Sequence, residues 1–146
     1  MVCPRCLLAS NDPRYFTDLT DRGEPHVYNA ATRQQLRGTI SARHDLAGVI
    51  PESFHTHART VEQAVVAYEL AMHTSRTLYE CNRFSLQIEL ARMGNYHLRL
   101  VAVKQLRSHG ISQDERVAHY RAALDLLGEA FVVVEGPILF KVAYQV

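Results

Sequence analysis

Two cysteines near the start of the 146-residue chain have a spacing that is common among metal ligands. In Cys3-Pro4-Arg5-Cys6 a tight turn can place both thiolates on one Zn²⁺ ion, which then needs two further ligands. Cys81 and the eight histidines are the available donors. A redox dithiol is the weaker alternative, because such pairs follow a strand and position 3 leaves no room for one. Two unpaired thiols in a terminal segment are the alternative that requires no ligand.

A second pair of metal-ligand type residues is His55-Thr56-His57. On an extended segment, side chains two positions apart project to the same side, so both imidazoles can bind one metal ion. A polar loop carrying two solvated histidines is the simpler alternative.

The tetrapeptide Phe54-His55-Thr56-His57 resembles the core motif of the JAB/MPN family of zinc-dependent isopeptidases. In that family a strand ends in this motif, and the following helix carries a metal-binding Asp. The resemblance implies a metal-dependent hydrolase that uses His55 and His57. The chain departs from the pattern because Ala58 replaces the usual Pro and the downstream Ser-x-x-Asp is absent. Tyr68 stands near the expected position of the Asp.

The two pairs can be combined into one site. A hypothetical zinc centre made of Cys3, Cys6, His55 and His57 has four protein ligands, which is typical of structural rather than catalytic zinc. Such a site would attach the N-terminal arm to the start of the first long helix. This prediction requires the arm to fold back onto the rest of the chain.

The stretch from Phe84 to Lys104 predicts an antiparallel hairpin. Apolar and polar residues alternate from Phe84 to Ala91, which is typical of a half-buried strand. Gly94-Asn95 provides a turn signal, and the run that follows becomes apolar on both faces, as in a central strand.

Amphipathic helices flank the predicted hairpin. Thr60 with Gln63 and Ser112 with Glu115 form capping boxes, each of which starts a helix. The second helix has an apolar stripe: Val117, Tyr120, Leu124, Leu127 and Phe131.

Strands complete the predicted fold. Short strands are predicted at Thr39–Arg43 and Leu46–Ile50, and a C-terminal strand at Ile138–Tyr144 follows the turn at Glu135-Gly136-Pro137. From about residue 46 the order is strand, helix, strand, strand, helix, strand (βαββαβ). This order predicts an α+β, ferredoxin-like fold, with an antiparallel sheet packed on two helices. Residues 1–45 form an irregular arm with a short helix from about Asn29 to Leu36, and the whole chain, 1–146, is predicted to be a single domain.

Composition places the chain among ordinary globular proteins. Its hydrophobic content is 47%, its charged content is 21% and its net charge is +1. No apolar run is long enough to span a bilayer and no secretion signal is evident, so we expect a soluble protein without a membrane partner. Three cysteines, two of them at positions 3 and 6, favour a reducing cytoplasmic compartment.

Nucleic-acid binding is an alternative that depends on four arginines: Arg83, Arg92, Arg99 and Arg107. Guanidinium groups suit phosphate recognition. The low net charge disfavours this function, and the outward face of the predicted hairpin carries no aromatic ring for base stacking.

The pattern as a whole contains no complete catalytic set. It therefore favours a small non-enzymatic module that binds a protein partner or a second copy of itself, with a structural zinc site. The predicted strand edge at Val142–Val146 offers a surface for self-association. The metal-dependent hydrolase and the nucleic-acid-binding accessory protein are the alternatives.

Overall fold

The computed structural model describes residues 1–12, 16, 30–48, 59–81 and 86–132. These residues form five α-helices: α1 (Ala30–Gly38), α2 (Ile40–Ala47), α3 (Val61–Glu80), α4 (Leu86–Lys104) and α5 (Gln113–Val132). The same ranges contain no β-ladder, and their strand-like pairing is an isolated antiparallel bridge between Val2 and Ala9. The predicted α+β, ferredoxin-like fold is therefore wrong, because the described part of the chain is a helical bundle.

Helix α4 lies at the centre of this bundle. It packs along α3 on one side and along α5 on the other, while α1 and α2 pack against α3. One hydrophobic cluster joins the N-terminal segment, α2, α3 and Tyr96, and a second joins α4 to α5. None of the described helices is long and apolar enough to cross a membrane.

The predicted hairpin over Phe84–Lys104 is replaced by α4. Leu90, Met93, Tyr96 and Leu100 are all buried, and their spacing of three or four residues places them on one side of a helix. The alternation near the start of this stretch also contains that helical spacing. Packing between two neighbouring helices decides in favour of the helix.

Gly94 explains why the presumed turn is a helix interior. A Cβ atom at this position would lie 2.7 Å from Leu127 Cγ and 3.3 Å from the carbonyl oxygen of Ala123, both on α5. The glycine therefore permits close contact between α4 and α5, although glycine disfavours a helix interior by about 1 kcal/mol. Gly94 serves helix packing rather than chain reversal.

Other predicted strands are also corrected or fall outside the described residues. Thr39–Arg43 and the start of Leu46–Ile50 belong to the α2 region, where Ile40–Ala47 is helical. The predicted C-terminal strand, its preceding turn and the Val142–Val146 edge lie outside the described residues. The short helix predicted near Asn29 is confirmed as α1.

The helix starts predicted from local sequence are confirmed. The Thr60 hydroxyl accepts a hydrogen bond from Gln63 N, and the Gln63 side chain accepts one from Thr60 N, which completes the capping box of α3. Ser112 Oγ accepts a hydrogen bond from Glu115 N at the start of α5. These contacts form within one turn, so tertiary packing does not alter them.

The predicted apolar stripe of α5 faces a different direction from the one expected. Tyr120, Leu124 and Phe131 are 48%, 72% and 39% exposed, whereas Ala123 and Ala130 are the buried residues of this helix. Small residues face α4 because the helices approach closely at Gly94. Tyr120, Leu124 and Phe131 are left on the outer side, whereas Leu127 packs against the core cluster between α4 and α5.

Substitution of Gly94 by Ala tests this close approach. We expect Gly94→Ala to lower the free energy of unfolding by about 1–2 kcal/mol, because the cost of overpacking exceeds the gain in helix propensity. Gly38→Ala is the control, since a Cβ there meets nothing within 4 Å. Urea unfolding followed by circular dichroism measures both variants. Equal stabilisation of the two would contradict the proposed contact.

Candidate functional site

The Cys3–Cys6 segment forms a closed turn. Cys3 N donates to Leu8 O at 2.8 Å, and Leu7 N donates to Cys3 O at 3.0 Å. Leu7 has φ = +55°, a left-handed conformation that is rare for a residue with a side chain. Its side chain is buried in the cluster beneath the turn, and this burial compensates for the strained conformation. The turn is thereby held in one geometry.

Backbone amides are directed at both sulfurs. Burial raises the pKa of the Cys3 thiol, but hydrogen bonds from the N–H groups of Cys6 and Arg5 outweigh burial and leave this pKa below its usual value. Burial raises the pKa of the Cys6 thiol, and the N–H of Leu8 opposes that rise. The two thiols also hydrogen-bond each other. Hydrogen-bond donors near sulfur stabilise thiolate, which is the form that binds metals.

Arg43 attaches this turn to α1 and α2. Its Nε donates to Cys6 O at 2.8 Å, its Nη2 to Leu36 O at 2.8 Å and its Nη1 to Thr39 Oγ1 at 2.6 Å. The residue is only 1% exposed, and its charge acts on both thiols. Arg43 therefore positions the turn while it favours negative charge there.

The residues that follow the turn are fixed to α3 and α4. Ala9 N donates to Thr74 Oγ1 at 3.1 Å on α3. Tyr96 Oη donates to Asn11 Oδ1 at 2.8 Å on the α4 side. Residues 1–12 thus lie against the bundle, so the part of the predicted irregular arm that the structure describes has a defined place.

The remaining predicted ligands, His55 and His57, lie outside the described residues. The first described residue after them is Arg59. The charge of Arg59 acts on the Met1 amino group, and both residues line a cleft of about 400 Å³. Arg59 therefore lies close to the first residue of the N-terminal segment.

A complete metal centre is not found within the described residues. No group of three or more His, Cys, Asp or Glu side chains there is arranged to hold an ion. Cys3 and Cys6 are brought together, and Cys81, a free thiol beyond the end of α3, is outside such a group. The described turn thus brings together two of the four predicted ligands.

The arginines considered for nucleic-acid binding have separate environments. Arg92 bridges Glu89 and Asp12, with both N–O distances at 2.6 Å. Arg107 makes two hydrogen bonds to the Glu62 carboxylate, at 2.9 and 2.7 Å. Arg99 is exposed on α4, and Arg83 lies outside the described residues. Two of the four guanidinium groups are thus already bound to carboxylates.

A polar network occupies the contact between α3, α4 and α5. Lys104 Nζ lies 2.8 Å from Glu115 Oε1, 3.5 Å from Glu69 Oε1 and 3.4 Å from His119 Nε2. Lys104 is 7% exposed. A buried ammonium group of this kind requires such partners, because desolvation of an unpaired charge is costly.

Two histidines continue the network between α4 and α5. His97 Nδ1 and His119 Nδ1 are 2.8 Å apart. Lys104 can only donate hydrogen bonds, so His119 Nε2 accepts and the His119 proton resides on Nδ1, from which it is donated to His97. Burial, together with the charges of His119, Arg76 and Lys104, lowers the pKa of His97 to about 4. Both imidazoles are neutral in this arrangement.

Glu89 is the third buried polar centre. It is fully buried, and burial raises its pKa to about 7, while a hydrogen bond from Ser75 works in the opposite direction. The guanidinium of Arg92 at 2.6 Å also favours the ionised carboxylate. This carboxylate therefore belongs to a packing network that joins α3, α4 and residue 12.

Sequence reasoning missed Arg43, Glu89 and the His97–His119 pair as key residues. Arg43 falls in a predicted strand, and Glu89 and His97 fall in the predicted hairpin. One signal was available: Glu89 and Arg92 have the three-residue spacing of a helical ion pair. The contacts with residue 12 and His119 connect distant parts of the sequence and leave no local pattern.

Comparison of the chain with family models, curated proteins and solved structures finds no match. Functional interpretation therefore depends on the geometry of these sites.

Substitution of Arg43 tests the anchor of the turn. We expect Arg43→Met to lower the free energy of unfolding by about 2–4 kcal/mol, because the buried carbonyl groups of Cys6 and Leu36 lose their donor. Arg37→Met removes an exposed arginine from α1 and should change stability by less than about 0.5 kcal/mol. Urea titration of both variants is the measurement. A similar loss in both would show that Arg43 has no anchoring role.

The half-buried histidine pair predicts a pH dependence of stability. The folded state holds His97 neutral with a pKa of about 4, below the usual 6.5, so the unfolded state binds more protons between these values. The stabilisation is present above about pH 6.5 and is lost as the pH falls through 4. His97→Asn removes the titrating group.

We therefore expect the stability difference between wild type and His97→Asn to shift against the wild type as the pH falls from 6.5 to 4. Urea unfolding at several pH values gives this difference. A difference that stays constant over the whole range would contradict a neutral, half-buried His97.

Proposed function

We propose that this protein is a small non-enzymatic assembly module whose Cys3–Cys6 turn binds one zinc ion as a structural staple. The observation that carries this proposal is the closed turn, in which backbone N–H groups are directed at both sulfurs. Metal–thiolate bonds require deprotonated sulfur in a fixed arrangement. The donors around Cys3 lower its pKa, whereas burial keeps the pKa of Cys6 raised, so the closed turn contributes mainly the fixed arrangement.

Backbone contacts hold the turn closed. Bonds between Cys3 N and Leu8 O, and between Leu7 N and Cys3 O, fix the loop that carries both ligands. The bridge between Val2 and Ala9 closes its base. Less ordering entropy is then lost when the ion binds.

His55 and His57 are the proposed third and fourth ligands. This assignment depends on the metal-ligand spacing of the pair, and it is supported by Arg59, two positions after His57, which lines the same cleft as Met1. Two thiolates and two imidazoles complete a tetrahedral zinc site with no position for water, which is the structural class. In that role the ion would link the N-terminal turn to the segment that precedes α3.

The interior contacts support a binding function over catalysis. A hydrolytic metal site at His55 and His57 needs a nearby carboxylate, for which the sequence offers Glu52, Glu62 and Glu69; Glu52 lies outside the described residues. Glu62 is bound to Arg107, and Glu69 lies 3.5 Å from Lys104. These two carboxylates are engaged in ion pairs between helices.

Metal analysis of the two cysteine variants tests the proposal. We expect untagged, reduced protein to contain about one zinc per chain, and Cys3→Ser and Cys6→Ser to contain almost none. Cys81→Ser is the matched control and should retain full zinc content, because that thiol lies outside the turn. Cobalt substitution gives a second measurement through the thiolate-to-metal charge-transfer band. Wild-type zinc well below one per chain after reconstitution would exclude the site.

A second set of variants tests the histidine ligands. The double variant His55→Ala/His57→Ala should weaken zinc binding by a factor of about 100 or more, whereas the exposed His44→Ala on α2 should have no effect. His73→Ala provides a discriminating comparison, because His73 Nδ1 is buried without a hydrogen-bond partner in the described part of the chain. Loss of zinc in His73→Ala, with the double variant unaffected, would overturn the assignment of His55 and His57.

A further inference from the structure

The outer side of α5 carries an apolar stripe. Tyr120, Leu124 and Phe131 are 48%, 72% and 39% exposed. With 3.6 residues per turn, these three side chains fall within one narrow arc of the helix, and Val117 falls in the same arc. The inner side of the helix is occupied by the contact of Ala123 and Ala130 with α4. The stripe is therefore separate from the core of the bundle.

Two residues of opposite charge border one side of this stripe. Arg121 and Asp125 lie along the flank of the stripe that is remote from α4, and the basic residue precedes the acidic one by one turn. This order makes the flank complementary to itself in an antiparallel pair. A second copy of the helix running in the opposite direction would present its acidic residue beside the basic residue of the first.

We propose that the outer face of α5 binds the same face of a second copy of this protein, in antiparallel orientation about Leu124. This inference names the partner of the assembly module proposed above and rests on that proposal for its role in assembly. The surface consists of the apolar stripe (Val117, Tyr120, Leu124 and Phe131) together with its charged flank.

The register of this pairing follows from the rise of 1.5 Å per residue. With Leu124 at the two-fold axis, Leu124 meets the partner's Leu124, and Val117 lies opposite the partner's Phe131. Arg121 and the partner's Asp125 are then separated by about 3 Å along the helix axis. Two-fold symmetry repeats this ion pair, so the interface contains it twice.

The charges also favour the antiparallel arrangement over a parallel one. In a parallel two-fold dimer the flanks that carry Arg121 and Asp125 lie on opposite sides of the interface and do not meet, whereas in the antiparallel dimer they lie on the same side. Opposite charges that meet across an interface determine orientation and partner choice. Apolar contact at Leu124 contributes the affinity of the dimer, while the charged flank determines the relative orientation of the two helices.

Matched substitutions at two equally exposed leucines test the apolar part. Leu124→Lys should raise the dimer dissociation constant by a factor of about 100 or more, because the lysine lies on the two-fold axis against its own copy. Leu106→Lys is the control, since Leu106 is 71% exposed but lies outside α5. Sedimentation equilibrium of the full chain, at concentrations up to about 100 μM, measures both.

Charge reversal tests the orientation. Arg121→Asp and Asp125→Arg should each raise the dissociation constant of their own homodimer by a factor of about 10 or more. An equimolar mixture of these two variants should form a heterodimer, because one copy then has an acidic flank and the other a basic flank. The double variant Arg121→Asp/Asp125→Arg should recover the homodimer.

Several results would overturn the inference. Wild-type protein that is monomeric at about 100 μM excludes the interface. Equal effects of Leu124→Lys and Leu106→Lys, or a mixture of charge variants that fails to associate, would exclude this surface or this orientation. Zinc content measured on the same samples separates this failure from failure of the metal site, since full zinc in a monomeric protein rejects only the α5 interface.

Discussion

Burial of charged side chains in a small helical bundle is the constraint on which this structure depends. Glu89 is fully buried, Arg43 is 1% exposed and Lys104 is 7% exposed. An unpaired charge in such a place would cost several kcal/mol, so each must find partners that other elements supply. Arg43 draws its partners from the turn and α1, and Lys104 draws its partners from α3 and α5. Satisfaction of the buried charges therefore sets how the elements are arranged.

The same constraint produces two opposing dependences of stability on pH. His97 is half-buried and neutral, with a pKa of about 4, so its contribution is lost as the pH falls from about 6.5 through 4. Burial raises the pKa of Glu89 to about 7 from its usual value of 4.5, so its contribution is present at low pH and is lost as the pH rises through 7. Between about pH 4.5 and 6.5 the two slopes have opposite signs. The burial of an acid and a base in one small interior thus limits the net pH dependence.

Local signals in the sequence predicted local features correctly. The capping residue Thr60 and the first turn of α5 need only neighbours within four positions, and both are as expected. The stretch from residue 84 to 104 could not be resolved in this way, because its apolar residues fit both a period of two and a period near 3.6. The contact of Gly94 with Leu127 and Ala123 favours the helix over the strand, and these two residues lie about thirty positions later in the chain. A glycine that permits close helix packing and a glycine that makes a turn are identical in sequence.

In the candidate site, too, the local features were predictable from the sequence and the long-range contacts were not. The pairing of Cys3 with Cys6 was predictable because two intervening residues determine the turn, whereas the attachment of that turn by Arg43 depends on a contact over 37 positions. From the sequence alone an arginine is expected to be exposed, because the partners that allow its burial are not visible there. Long-range polar contacts of this kind have no periodicity, so neither composition nor spacing indicates them.

Ion pairs between helices engage several of the carboxylates that the structure describes. The Glu62, Glu69 and Glu115 carboxylates are paired with cations, and the His97–His119 pair is held neutral between α4 and α5. General acid–base catalysis needs such groups at an accessible cleft, with protons to exchange, so these particular side chains serve the contacts between helices instead. The two proposed surfaces differ in kind, because soft metal coordination suits the thiols of the turn and apolar contact suits the outer face of α5.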